Sequence, residues 1–171
     1  MSAASFRHLK ALVVEDNPHM RLLLRALLLS IGVNRVFEAE DGMAGFEELK
    51  NGNIDFVISD LSMKPVDGIE FTRMVRRRKD SPQPFVPIIM VTGHTERSRV
   101  EAARDAGVTE FLAKPITAHN LFRRIGEIVE RPRSFVRSGQ YVGPNRRRRK
   151  TADHPGPLRR QDDMDADVVL L

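Results

Sequence analysis

The stretch Ile54-Asp55-Phe56-Val57-Ile58-Ser59-Asp60-Leu61-Ser62-Met63-Lys64-Pro65-Val66-Asp67-Gly68 reads as an apolar run, a closing carboxylate, a polar loop and a helix cap. A short apolar run bounded by turn residues is a strand buried on both faces. Such strands belong to parallel sheets covered by helices on both sides. Asp60 closes the run, the loop spans Leu61 to Val66, and Asp67 caps a helix that continues through Arg78.

The same unit recurs on either side. Leu9 to Val14 is an apolar strand closed by Glu15 and Asp16. Asn17-Pro18 then supplies an N-cap and a first-turn proline, and Met20, Leu23, Leu24, Leu27, Leu28 and Ile31 follow at helical spacing up to Gly32. Val36 to Ala39 is a short strand, and Asp41 to Leu49 a helix ended by Asn51-Gly52. Beyond the loop Ser81 to Pro84, Val86 to Val91 is a strand closed by Thr92, and Glu96 to Ala106 is a helix stopped by Gly107. Thr109 to Leu112 is a fifth strand, followed by Lys114-Pro115. Thr117 caps a last helix with Leu121, Ile125, Ile128 and Val129 on one face. Five strands alternating with five helices predict an α/β fold, a doubly wound five-stranded parallel sheet with helices on both faces.

The chain has 171 residues, 41% of them hydrophobic and 30% charged, which predicts a packed core. It contains no cysteine, so disulfides and thiolate metal sites are excluded. No apolar run is long enough to span a bilayer, and no apolar segment behind a basic start marks a signal peptide. A cytoplasmic protein without a membrane segment is expected. Residues 1–130 hold 18 basic and 18 acidic residues, and residues 131–171 hold 10 and 5. The net charge of +5 therefore belongs to the C-terminal stretch and implies no nucleic-acid binding by the main domain. The expected organisation is an N-terminal arm (1–7), a domain (8–130) and a basic, largely disordered extension (131–171).

In open α/β sheets, ligands bind beyond the carboxyl ends of the strands. Glu15, Asp16, Asp60, Thr92 and Lys114 stand there: three carboxylates, a hydroxyl and an ammonium. Crowded carboxylates raise one another's pKa unless a cation intervenes. A hard divalent ion with oxygen ligands, Mg²⁺, fits best. A carboxylate beside it can act as nucleophile towards a phosphoryl group, whose oxygens Lys114 and Thr92 would hold. Gly93 leaves room for them.

These residues resemble the receiver domain of two-component response regulators, over residues 8–130, and the resemblance implies the strand order 2-1-3-4-5 for the doubly wound sheet. The matching pieces are Glu15-Asp16, the segment from Asp60 to Gly68, Thr92-Gly93 and Lys114-Pro115, with spacings of 44, 32 and 22 residues from Asp16 through Asp60 and Thr92 to Lys114. The resemblance implies that Asp60 accepts a phosphoryl group from a histidine kinase or phosphotransfer protein. It implies that Glu15, Asp16, Asp60 and the Ser62 backbone carbonyl hold Mg²⁺, and that Thr92 and Lys114 contact the phosphoryl group. Thr92 and Phe111 would form the switch, with phenylalanine lacking the hydroxyl of a tyrosine. Lys114-Pro115 falls at the family's cis-peptide position. The downstream partner would be a protein docking on the fourth helix, fifth strand and fifth helix. The chain would not be an enzyme beyond self-phosphorylation and autodephosphorylation at Asp60.

Other chemistries find less support. A haloacid-dehalogenase-type phosphatase needs an aspartate where Ser62 stands, and nucleotide-loop and zinc-protease motifs are missing. His94 falls at the pocket rim, where it would be a solvated side chain or order water. No amphipathic helices follow residue 130, so no specific DNA-binding domain is expected. The extension carries Phe135, Tyr141 and the run Arg146-Arg147-Arg148-Arg149-Lys150. It somewhat resembles arginine-rich extensions of chemotaxis-type single-domain receivers that bind cyclic di-GMP. The alternatives are a solvated or protein-docking arm, nonspecific nucleic-acid contact and, for the whole chain, a phosphate sink without output. Asp165 to Leu171 reads as a frayed end, or a docking or degradation tag.

Overall fold

The computed structural model describes residues 6–93, 97–139, 141–145 and 167–169. Arg146 to Arg149 and His94 lie outside the described residues. The elements run β1 (Lys10–Val14), α1 (Pro18–Ser30), β2 (Arg35–Ala39), α2 (Gly42–Asn51), β3 (Phe56–Asp60), α3 (Gly68–Arg77), β4 (Ile88–Thr92), α4 (Arg97–Ala106), β5 (Glu110–Ala113) and α5 (Ala118–Glu130). Three short strands follow: β6 (Phe135–Ser138), β7 (Tyr141–Pro144) and β8 (Asp167–Val169).

The main sheet has the order β2-β1-β3-β4-β5, and all its pairings are parallel. Strand side chains alternate between two cores, as the period of two requires. Ala11, Val13, Ile58, Val91 and Leu112 pack against Leu24 and Leu28 of α1 and Leu121 and Ile125 of α5. Leu12, Val14, Val57 and Ile88 pack on the other face against Phe46 and Leu49 of α2 and Phe71 and Val75 of α3. Met90 and Ile69 pack with Ala103 and Ala106 of α4.

The helices start where the sequence places their caps. Asn17 accepts from the His19 and Met20 amides, Asp41 from Met43 and Ala44, Asp67 from Glu70, and Thr117 from Asn120. Each satisfies amides that have no partner inside the helix, and loss of such a cap costs about 1 kcal/mol. The α1 periodicity needs one correction. Of the residues at helical spacing Leu23 is exposed, as are Leu22 and Leu29 beside it, while Leu24, Leu28 and Ile31 are buried and Met20 and Leu27 pack against the same core half-buried. Val129 of α5 is likewise exposed and leaves the buried face to Leu121, Ile125 and Ile128.

Both boundaries of the domain move outward. Phe6 is fully buried, against Phe122 with ring centroids 5.2 Å apart, so the N-terminal arm contributes to the α1/α5 core. Within the stretch expected to be largely disordered, Phe135–Ser138 and Tyr141–Pro144 are strands. β6 and β7 pair antiparallel from Phe135↔Pro144 to Ser138↔Tyr141, and β8 pairs with β6 on its other side. Phe135 is buried, edge-on to Phe85 and 5.0 Å from the Arg76 guanidinium. Arg133 donates to the backbone oxygens of Thr109 and Asn145. Charge composition obscured this hairpin, although Phe135-Val136 and Tyr141-Val142 flanking Gly139 form a short-hairpin pattern.

Candidate functional site

The parallel register brings the strand ends to one edge. Val14 aligns with Ser59, Asp60 with Val91, and Thr92 with Ala113, so the residues that close each strand share one level. Glu15 and Asp60 are almost fully buried, although both are carboxylates. Lys114 Nζ lies 2.8 Å from Asp60 Oδ1 and 4.0 Å from Glu15 Oε2. The other Asp60 oxygen, Oδ2, accepts from the Ser62 amide at 2.8 Å.

Glu15 is the electrostatically loaded member. Its Oε1 accepts from the Asn17 amide at 3.1 Å, while Oε2 is buried without a hydrogen-bond partner. Burial, and secondarily the Asp60 charge, push its carboxyl from 4.5 up to about 7. Asp16, the next residue, is exposed. Among the described residues no three acidic or histidine side chains close into a ready metal cage. The expected convergence of three carboxylates is therefore partial: Glu15 and Asp60 meet around Lys114, and Asp16 stands at the rim. The donor set nevertheless suits a hard cation. An orphaned buried carboxylate oxygen next to a second carboxylate is a position where a divalent ion replaces repulsion by attraction.

Thr92 ends β4 and is buried. Its carbonyl accepts from the Lys114 amide at 3.0 Å, which ties the hydroxyl-bearing and ammonium-bearing strands together. The Lys114-Pro115 bond is cis, as is Lys64-Pro65 in the loop after Asp60, which the sequence did not signal. Among the described residues a side chain at Gly93 would meet only Lys114 Cδ, at 3.8 Å, which leaves room above the strand end. A side chain at Gly68 would collide with the Asp60 carbonyl oxygen, so glycine lets α3 start directly under the carboxylate. Phe111 of β5 is half-buried and packs on the α3/α4 side of the sheet with Leu61, Met90 and Ala106.

Sequence reasoning missed Arg76. It sits at the far end of α3 from Asp60, is 1% exposed, and donates to the Gly107 and Pro84 carbonyls at 3.1 and 2.8 Å. An arginine in a run of basic residues gives no sign of burial; only the hairpin that covers it does so.

A model of the family described as "Response regulator receiver domain" matches residues 11–126. Chemotaxis protein CheY-3 of Vibrio cholerae is 34% identical over 131 residues, covering 77% of this chain and 99% of the relative. Chemotaxis protein CheY of Pseudomonas aeruginosa is 36% identical over 123 residues, covering 72% and 98%. Among solved structures, the receiver domain of the sensor histidine kinase PA1611 from Pseudomonas aeruginosa superimposes with a TM-score of 0.63 at 29% identity. That match covers 70% of this chain and 95% of its own, and its active-site cleft coordinates a magnesium ion. Vibrio cholerae chemotaxis protein CheY4 gives a TM-score of 0.65 at 28% identity, covering 71% and 98%.

Proposed function

The chain belongs to the response regulator receiver domain family, and from that premise we propose that Asp60 accepts a phosphoryl group from a phosphohistidine on a kinase or phosphotransfer protein. The observation that carries this reading is the Lys114 ammonium 2.8 Å from a buried Asp60 carboxylate, with the unpartnered Glu15 oxygen beside it. An isolated structural ion pair needs no second buried carboxylate.

In the proposed step an Asp60 carboxylate oxygen attacks phosphorus in line with the leaving imidazole. The new P–O bond forms as the P–N bond breaks, and the histidine nitrogen takes the electron pair. Lys114 holds one phosphoryl oxygen and the Thr92 hydroxyl another, in the space left by Gly93. The Ser62 amide fixes the orientation of the Asp60 carboxylate through Oδ2. Glu15, Asp16, Asp60 and the Ser62 carbonyl would hold Mg²⁺, which supplies positive charge to the phosphoryl oxygens. Chemistry is then confined to the chain's own Asp60, with water as the later acceptor.

α1 begins directly after Asp16, and its outer face exposes Leu22, Leu23 and Leu29. An apolar helix face leading from the pocket suits a protein donor better than a small molecule. In the phosphorylated state Thr92 moves towards the phosphoryl group, Phe111 repacks, and the surface of α4, β5 and α5 binds a downstream protein. Phe111 has no hydroxyl, so this readout rests on packing.

The test is incubation of the chain with a radiolabelled small-molecule phosphoryl donor and Mg²⁺. Label should enter the wild type and fall at least a hundredfold in Asp60→Asn. Label retained at the wild-type rate by Asp60→Asn would place the acceptor elsewhere. The alternative cyclic di-GMP reading rests on Arg146 to Arg149, which are outside the described residues.

A further inference from the structure

At the end of the sheet opposite Asp60, the C-terminal turn of α3 and the β6–β7 hairpin enclose a cleft of about 840 Å³. Sites for nucleotide-sized ligands fall between roughly 300 and 1,000 Å³. Among the described residues the lining includes five cationic side chains, Arg76, Arg77, Arg78, Lys79 and Arg137, and no carboxylate. Arg78 is matched by Asp80, in a two-pronged pair at 2.9 Å. Among the described residues no acid pairs with Arg76. Its Nε and Nη1 reach backbone carbonyls, and Nη2 is buried with no hydrogen-bond partner. Burial pushes its pKa down from the ordinary guanidinium range to about 9. A fully buried guanidinium with an idle donor loses hydration without full compensation.

The hairpin makes the cleft. β7 packs against α3 and α4, and the Val142 carbonyl comes so close to Gly107 (φ +106°) that a side chain there would meet it at 2.6 Å. Arg137 leaves β6 over the Phe85 ring, 6.0 Å from its centroid, opposite the α3 residues. Gly139 stands at the mouth, and no described residue comes within 4 Å of a Cβ placed there.

We propose that this cleft binds a small phosphorylated ligand carrying at least two phosphate charges, with the buried Arg76 guanidinium as a fixed positive charge in its wall and Lys79 and Arg137 as the outer clamps. Arginine forks match phosphate oxygens bidentately, and such charge-assisted bonds are the strongest available to an anion. A low-dielectric wall behind Arg76 strengthens the attraction.

Calorimetric titration of the full chain in metal-free buffer at 0.15 M salt tests the site without contribution from the acidic pocket. The probes are pyrophosphate, ATP and cyclic di-GMP, with adenosine as the uncharged control. At least one phosphorylated probe should bind saturably at one per chain, and adenosine should not. The probe that binds identifies whether a base is read together with the phosphates. Lys79→Ala with Arg137→Ala should weaken binding at least tenfold, and Gly139→Glu, which adds a carboxylate at an uncrowded mouth, should do the same. Replacing Arg146 to Arg149 by serine in the full chain should leave binding within threefold. All variants should keep the wild-type melting temperature and Asp60 labelling. The proposal is overturned if no phosphorylated probe binds saturably. It is equally overturned if the Lys79/Arg137 and Gly139 variants bind as wild type does, whether or not the Arg146–Arg149 variant loses binding.

Discussion

Glu15 shows how one residue can make a fold sensitive to pH. Its carboxyl sits at about 7 in the folded chain, against an ordinary value of 4.5, chiefly because it is buried and secondarily because Asp60 lies near. A raised folded-state pKa means that the folded form holds its proton more tightly than the unfolded form. The stabilisation is therefore complete below about pH 4.5, declines as pH rises towards 7, and is gone above that. In buffer with chelator, Glu15→Gln should raise the melting temperature at pH 8 and change it little at pH 4.5. Added Mg²⁺ at pH 8 should stabilise the wild type more than the variant, because only the wild type offers the carboxylate. A melting difference that does not vary with pH would mean that Glu15 titrates normally. Asp16, its neighbour in sequence, is exposed, so the pair divides into a buried and a rim carboxylate.

The element scale is where the reading of the sequence was least complete. The five βα units were legible because apolar runs, caps and glycine stops coincide. The β6–β7 hairpin was not, since four-residue strands with mixed burial carry almost no periodic signal. Its energetic centre is Phe135, which fills a site between Phe85 and the Arg76 guanidinium. Phe135→Ala should cost about 3–5 kcal/mol in chemical denaturation, as buried phenylalanine truncations do. A cost below about 1 kcal/mol would show that the hairpin contributes little to the folded state. Pro144 ends β7 on the edge of the small sheet, where a missing amide is tolerated.

For the whole molecule, the sheet separates two functions by its length. The pocket around Asp60, proposed to accept the phosphoryl group, lies at the carboxyl ends of the strands, and the basic cleft lies by the Pro84 and Gly107 carbonyls, which precede β4 and β5. A chain ending at Glu130 should keep Asp60 phosphorylation, because every residue of the acidic pocket precedes that point. It should lose at least as much stability as Phe135→Ala, since Arg76 and Gly107 lose their cover. Phosphorylation and thermal melting of the shortened chain check both statements, and loss of labelling in a folded shortened chain would show that the two ends are coupled.

The amino-acid sequence on its own sets the succession of five strands and five helices, the caps at Asn17, Asp67 and Thr117, and the polar residues at the strand ends. All of these follow from local patterns: apolar period, cap chemistry and the rule that ligands gather at the carboxyl edge. Tertiary structure alone decided which of those groups are buried together. Lys114 reaches both Glu15 and Asp60 only because β1, β3 and β5 stand in register. It also decided that Arg76, one of four consecutive basic residues, is the buried one. Burial of a charge depends on what packs over it, and here that cover arrives from a hairpin more than fifty residues further along the chain.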